Sequence, residues 1–456
     1  MPLNHSYIPA IQWIETYQTD CKRSHSAQED VTIGILRDDD PVARSVLQVF
    51  PPDLQFDRSC KYIERHIKSL LWIHGGNRIL LHAPAPFVER LQTYYSQSPT
   101  GAFDSTLIGE KIYGSPITIA SGSEESIPHP AASSQPVGRN LDGCRIGFDL
   151  GGSDRKCAAL IDGDVVFSEE IPWDPYFQKD PQYHFEGIMD SLQRAAKHLP
   201  RVDAIGGSAA GVYVNNEVRV ASLFRGVEPS DFEKSVKNIF QRIQAVWDNV
   251  PFVVINDGEV TALAGAMSLQ ASALLGISMG TSTAAGYVTP EGHLTDWLNE
   301  LAFVPIDYSD QAPIDEWSGD IGCAVQYFSQ QGVARLAREA GMDFPADMPL
   351  PEQLIAVQNR MATGDTVAES IYAAIGTAFG HTLAHWSRFY ALEHILILGR
   401  VTSGRGGEQI LSQARQCLDT HYTEIAQDIQ LHIPDEKMKR HGQAVAAASL
   451  PSLARA

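Results

Sequence analysis

"FDLGGSDRK", residues 148–156, runs from an apolar, strand-like stretch through an acid, Asp149, into two glycines, a hydroxyl and two cations. Two readings fit it. Gly151 and Gly152 can take positive φ and let backbone N–H groups approach an anion such as a phosphate. Glycines at the turn of an ordinary β-hairpin do the same with no ligand present. Taken alone, the stretch favours the plain hairpin, and its surroundings have to decide.

The surroundings repeat. "RIGFD", "LGGSDR", "KCAALI", "DGD" and "VVFSEEI" read as three short strands joined by a glycine turn and an acidic-glycine turn. Far downstream, "ALLGIS", "MGTSTAA", "GYV", "TPEG" and "HLTDW" have the same layout, which implies a duplicated architecture. Helical patterns fill the intervals. "FEGIMDSLQRAAKHL" places Phe185, Ile188, Met189, Leu192, Ala196 and Leu199 on one face, and "PSDFEKSVKNIFQRIQAVW" opens with Ser230 and Glu233 at capping-box spacing. "VDAIGGS", "PFVVIN" and "HILILG" are short apolar strands of the kind found inside α/β sheets. Each half therefore reads as a mixed sheet with helices on its faces, and ligands bind best in the crevice between two such halves.

Upstream, residues 121–140, "SGSEESIPHPAASSQPVGRN", lack apolar periodicity and form the best linker candidate. Before them, strand-like "VTIGIL" and "RILLHAP" alternate with the helical patterns "PVARSVLQVF" and "APFVERLQTYYSQ", which predicts a separate small α/β domain. The acidic run "RDDDP" at 37–41 reads as a helix start, with Asp40 as N-cap and Pro41 as first helical residue, in preference to a metal site.

Composition narrows the class. The 456 residues allow two or three domains, and 44% hydrophobic content supports proper cores. Net charge −20 and the lack of a basic run argue against nucleic acid as a partner. No apolar run is long enough for a membrane span, and the first residues lack the layout of a signal peptide. Six scattered cysteines without CxxC pairs suit a reducing compartment, so the cytoplasm is expected.

Taken in order, "FDLGGSDRK", "VVINDGEVTALAGA", "ISMGTSTAAGYV", "NELAF" and "LILGRVTSGRGG" resemble the sugar kinases of the ROK family, within the actin, heat-shock chaperone and hexokinase superfamily. The resemblance covers roughly residues 144–450. It implies an α/β chain with a duplicated, ribonuclease-H-like two-lobed kinase fold and an extra N-terminal α/β domain. The divisions would be 1–120 for that domain, 121–140 for the linker, 141–270 for the first lobe, completed by a C-terminal helix at 437–450, and 271–436 for the second. ROK repressors carry a winged-helix DNA-binding domain at the N-terminus, but this segment is neither basic nor helix-turn-helix in pattern.

The resemblance also implies roles. Gly151, Gly152, Ser153 and Lys156 would form the first phosphate loop, and Asp149 would sit near Mg²⁺ through water. Gly280, Thr281 and Ser282 would form the second phosphate loop, and Gly399 and Gly404 would border the adenosine of ATP. Asp257 would be the general base for a hydroxyl of a sugar or polyol, with Asn256 and Glu300 binding that substrate. Apart from the resemblance, "ND" at a strand end also reads as an Asp257 N-cap to the following helix. ROK proteins are often dimers, so a homodimer is a candidate state.

The sequence departs from the family at several places. The family's zinc-binding His falls at Phe303, and its first two zinc-binding Cys fall at Glu316 and Ser318, leaving Cys323 alone; a structural zinc is not expected. A second sugar-binding Glu falls at Val325, so polar recognition is thinned and Phe303 is placed to stack on a C–H face of the sugar. Glycines of the second phosphate loop become Ser282, Ala284 and Ala285, and Arg400 replaces one in the adenosine loop. An alternative is therefore a catalytically weak ROK-like sugar or nucleotide sensor. An actin-like assembly ATPase is disfavoured because "ND" belongs to sugar kinases. His381 and His385, at i, i+4 spacing, lack a third ligand and read as helix-face residues.

Overall fold

The computed structural model describes residues 6–24, 28–130, 138–434 and 436–453, so part of the expected linker, 131–137, lies outside the described residues. The chain forms two compact units. One comprises Met1–Ser133, Ile277–Ala284 and Asp296–Ile433; the other comprises Ser134–Gly276, Ala285–Thr295 and Pro434–Ala456. The break between the units falls within 121–140, but the N-terminal segment, expected as a separate domain, shares one unit with most of the second lobe.

The N-terminal sheet contains β1 (Glu29–Arg37), β2 (Asp40–Val49), β3 (Arg78–His82) and β4 (Thr118–Ser121), in the order β2-β1-β3-β4. Here the expected helix starting at Asp40 and Pro41 is a strand. Arg37 pairs with Asp40 across a tight turn in which Asp38 has φ 54°, so "RDDDP" is a hairpin. Ala43, Leu47 and Val49 turn inward at a spacing of two or four, which matches the strand period and not the helical one.

The Phe56–His74 helix joins this sheet to the rest of its unit and is buried on nearly every face. Such a helix should be apolar, yet it carries Arg65 and Lys68 inward. Both are neutralised. Lys68 Nζ lies 3.0 Å from both carboxylate oxygens of Asp104 and 3.0 Å from Asp320, while Arg65 Nη1 lies 2.7 Å from Asp320. Trp72 Nε1 donates to Asp104 at 3.1 Å. Two cations and two anions thus balance where an unpaired charge could not be held. The start of the chain adds backbone bonds to the same unit, from Ala10 N to Ile306 O and from Tyr308 N to Ile8 O.

The other unit is built on β5 (Cys144–Leu150), β6 (Asp154–Ile161), β7 (Asp164–Pro172), β8 (Ala204–Ala209), a small hairpin of β9 (Val212–Val214) and β10 (Glu217–Val220), and β11 (Phe252–Asn256). Its main sheet runs β11-β8-β5-β6-β7, with β5, β8 and β11 parallel and β6 and β7 antiparallel. The Pro181–Ala196 helix covers one face through Ile188, Met189 and Leu192, against Ile146, Phe148 and Leu150. The Glu436–Ala448 helix covers the other so closely that a Cβ at Gly147 would lie 1.8 Å from Ala444 O, and one at Gly206 would lie 1.7 Å from Ala447 O. Glycine is obligatory at both strand positions. The expected capping box at Ser230 and Glu233 is absent: Glu228 occupies the N-cap, and no side chain caps that short helix.

The last sheet, β13-β12-β14-β15, contains β12 (Leu274–Met279), β13 (Thr283–Val288), β14 (His394–Leu398) and β15 (Gln430–His432). The second repeat keeps two of its three expected strands; the third shrinks to an isolated bridge between Val288 and Leu294. His381 and His385 lie on the Thr366–Trp386 helix and are both buried, with His381 Nδ1 2.7 Å from the Tyr422 hydroxyl. Among the described residues, no three His, Cys, Asp or Glu side chains converge as a metal-binding set.

The buried charges make a stability prediction. Lys68→Met strands Asp104 and half of Asp320's pairing, and should cost about 3–5 kcal/mol in urea unfolding. Burial alone would raise the Asp320 pKa, but Lys68 and Arg65 outweigh it and hold the carboxyl down to about 2. Its contribution to stability is therefore complete above the unfolded value of 3.8 and is lost as the pH falls through about 2. Acid titration of Lys68→Met should show a shallower loss over that window than the parent protein.

Candidate active site

The expected site residues fall into two sets, one in each unit. In the first, Asp149 sits at the end of β5, directly beside Ser208 on β8 and Lys156 on β6. The Ser208 hydroxyl donates to Asp149 Oδ1 at 2.6 Å, and Lys156 Nζ stands 3.9 Å from Oδ2 and 3.6 Å from Asp154. Burial raises the Asp149 pKa, and the Ser208 hydrogen bond and the Lys156 charge only partly oppose it. Ser208 was not among the expected residues. Its only sequence signal is the end of "VDAIGGS", a strand whose register with β5 no local pattern reveals.

The loop between β5 and β6 departs in part from the expected phosphate loop. Neither Gly151 nor Gly152 has positive φ. Gly151 N–H donates to Asp154 O at 2.9 Å and closes the hairpin, while its carbonyl accepts from Trp173 Nε1 at 2.8 Å. Gly152 is glycine for another reason, since a Cβ there would lie 2.1 Å from the Tyr176 hydroxyl. The N–H groups of Gly152 and Ser153 make no hydrogen bond within the described residues, whereas the Ser153 hydroxyl donates to Asp154 at 2.8 Å.

β11 delivers Asn256 and Asp257 to the start of the Asp257–Leu269 helix, and the structure divides their work differently from the sequence expectation. Asn256 is the N-cap: its side-chain oxygen accepts from Gly258 N at 2.7 Å, and its Nδ2 donates to Gly211 O at 2.7 Å. The helix's need for a cap is met one residue early, which relieves Asp257 of the capping role. Asp257 keeps partial solvent contact, and its pKa is raised to about 6, first by desolvation and then by the nearby charge of Asp149. Its own charge, after desolvation, helps to push the Tyr213 phenol well up.

In the other unit, Gly280, Thr281 and Ser282 form the turn between β12 and β13. Gly280 N donates to Ser282 O and Gly280 O accepts from Gln330 N, both at 2.9 Å, so the turn is anchored from below. Thr281 and Ser282 are exposed, and a Cβ at Gly280 would meet nothing nearer than Ser282 O at 3.8 Å. Gly399, by contrast, is required by φ 102° and by the Met279 carbonyl, which would stand 2.5 Å from any Cβ there. Gly404, at φ 64°, precedes the Arg405–His421 helix in open space.

Glu300 follows Asn299, which is buried at φ 49° and accepts from the Tyr390 hydroxyl at 2.8 Å. Both residues hang from the C-terminal end of the Phe56–His74 helix, with Asn299 N donating to Ile73 O at 2.9 Å and Glu300 N to Trp72 O at 3.0 Å. Glu300 itself is partly exposed. Phe303, expected to stack on a sugar, is instead core: it is 7% exposed, with its ring 4.3 Å from that of Trp72 and 5.7 Å from that of Phe103. Val325 is buried too, and burial pushes the Cys323 thiol up to about 12.

The sequence matches no family model and no curated protein. Solved structures do match. A ROK hexokinase from Thermus thermophilus aligns at TM-score 0.53 and 17% identity, covering 68% of this chain and 97% of its own. A ROK family glucokinase from Streptomyces griseus, solved with glucose and AMPPNP, aligns at 0.51 and 18%, covering 68% and 99%. A ROK family transcriptional regulator, a homologue of the Escherichia coli MLC protein, aligns at 0.50 and 20%, covering 68% and 79%. The chain therefore has the two-lobed α/β fold of the ROK sugar kinases, extended by its N-terminal α/β layer.

The raised Asp257 pKa can be tested without any substrate. An acid whose pKa rises on folding opposes folding once ionised, so its cost is absent below 3.8 and complete above about 6. Asp257→Asn should melt at a higher temperature than the parent at about pH 8, and the gap should close as the pH falls to about 4.

Proposed function

We propose that this chain is an ATP- and Mg²⁺-dependent kinase that phosphorylates a hydroxyl of a sugar or polyol, with Asp257 as general base. One observation carries the reading. Asn256 takes the helix cap and leaves Asp257, with a pKa near 6, as an available carboxylate at a strand end. A sugar hydroxyl is a poor nucleophile until its proton has somewhere to go, and a base titrating near neutral pH accepts it best. The partly buried capping amide keeps the helix start fixed, and backbone N–H groups at that start also reach the Asp257 carboxylate and orient it.

The remaining residues fit a nucleotide and its metal. Asp149 offers carboxylate oxygens at a buried strand end, a donor type suited to Mg²⁺ through water, and Lys156 adds a cation beside it. Gly152 and Ser153 offer unengaged N–H groups, and the exposed residues Thr281 and Ser282 carry hydroxyls directly after Gly280, where a Cβ would meet nothing nearer than 3.8 Å. Bound Mg²⁺ would supply charge neutralisation for the transferring phosphoryl group. Gly399 and Gly404 would border adenosine, and Glu300 would hold a substrate hydroxyl. Asn256, whose oxygen and one N–H are already committed, retains one N–H for the substrate. With Phe303 and Val325 in the core, the acceptor should present fewer hydroxyls than glucose to this site.

Asp257→Asn should lower kcat by about 10²- to 10⁴-fold while leaving ATP binding unchanged, as read by coupled ADP release and by nucleotide titration. In the parent, activity should rise with pH through about 6 as Asp257 ionises. The acceptor panel is glucose, mannose, fructose, N-acetylglucosamine and 2-deoxyglucose. Glucose leading that panel would overturn the acceptor assignment. Sugar binding without ADP release from any member would favour a sensor over a kinase.

A further inference from the structure

We infer that Trp317 is the aromatic platform on which the acceptor's apolar C–H face rests, a reading that builds on the proposed sugar kinase activity. Trp317 is 72% exposed, an unusual placement for the largest apolar side chain. It is nevertheless held in place. Its ring stacks on Phe303 with centroids 6.0 Å apart and planes 16° from parallel. Phe303 is fixed in turn by Trp72 and Phe103 beneath it.

The loop that carries Trp317 is also fixed. Asp315 Oδ2 accepts from Ser318 N at 2.8 Å and from Ser318 Oγ at 2.7 Å, and Asp315 N donates to Asp320 O at 2.7 Å. Asp320 is bound from below by Arg65 and Lys68. A Trp presented this way adds little burial to the fold and loses little entropy when a ligand covers it, because its position is already set.

The neighbouring chemistry selects the ligand. Glu300 lies one turn before Phe303, whose N–H donates to the Glu300 carbonyl at 3.3 Å, so an acidic acceptor for hydroxyls shares a short turn with the ring supporting Trp317. An acidic residue in the turn that supports the exposed ring suits a sugar, whose ring offers hydroxyls at its edge and C–H groups on its face. Ile314, 63% exposed on the same loop, is the other large apolar side chain there. Two side chains fall far short of the roughly 800 Å² per partner of a stable protein interface, so a small ligand is favoured over a second copy.

The test is direct sugar binding, read by isothermal titration without nucleotide across the same five sugars. For the tightest binder, Trp317→Ala should weaken affinity by about 10- to 100-fold, and Trp317→Phe should remain within about threefold of the parent. ATP affinity should be unchanged in both variants. Equal sugar affinity in Trp317→Ala and the parent would overturn the platform while leaving the kinase reading in place. Absence of binding by the parent to all five sugars would overturn both. A shift from dimer to monomer in Trp317→Ala by light scattering, with sugar affinity unchanged, would overturn the platform in favour of self-association.

Discussion

A lysine with no solvent exposure organises one unit of this protein. Lys68 can stay charged inside only because Asp104 and Asp320 meet it, and Arg65 completes the balance on Asp320. Asp104 and Lys68 belong to the N-terminal layer, and Asp320 belongs to the loop that follows Trp317. The network is directional, so it fixes which loop lies against which helix turn in a way that apolar packing alone does not. It also explains how the 299–323 region is held where the resemblance would place a zinc. Phe303 contributes an aromatic contact to Trp72, the Asp315 carboxylate closes a turn by accepting from Ser318 N, and Asp320 takes the buried cations. Helix and loop thus do the work of a cross-link.

A second economy operates at Asn256. A carboxylate beside a helix start is commonly drawn into capping its N–H groups. Placing the cap on a neutral amide one residue earlier leaves the Asp257 carboxylate out of the cap, and tying the same amide to Gly211 fixes the preceding loop as well. The cost appears in Asp257 itself, whose charge is disfavoured by burial and by Asp149. Strain of this kind, kept at a strand end and supported by a rigid sheet, is what tunes a carboxylate towards neutral pH.

Much of this was legible in the sequence. Strand period, glycine turns and the repeat of small-residue loops located the sheets and placed Asp149, Asp257 and the Gly280 turn at strand ends, because these signals come from sterics between chain neighbours. What the sequence misread involved competition between elements. "PVARSVLQVF" carries spacing compatible with a helix, but pairing with β1 makes it a strand. Gly151 reads as a phosphate donor, but the hairpin takes its N–H. Phe303 reads as an exposed ring until Trp72 and Phe103 arrive from far earlier in the chain to bury it.

The division follows from range. The sequence by itself determined the α/β class, the duplicated strand-turn-strand units and the acids at their ends, since local backbone preference and side-chain period suffice for those. The tertiary structure alone decided that the N-terminal layer is part of a larger unit, that Asn256 caps in place of Asp257, that Ser208 bonds to Asp149, and that Trp317 is left outside while Phe303 is covered. Each of these depends on which distant group meets a hydrogen-bonding or apolar surface first, and burial and charge balance settle that only when the whole unit has closed.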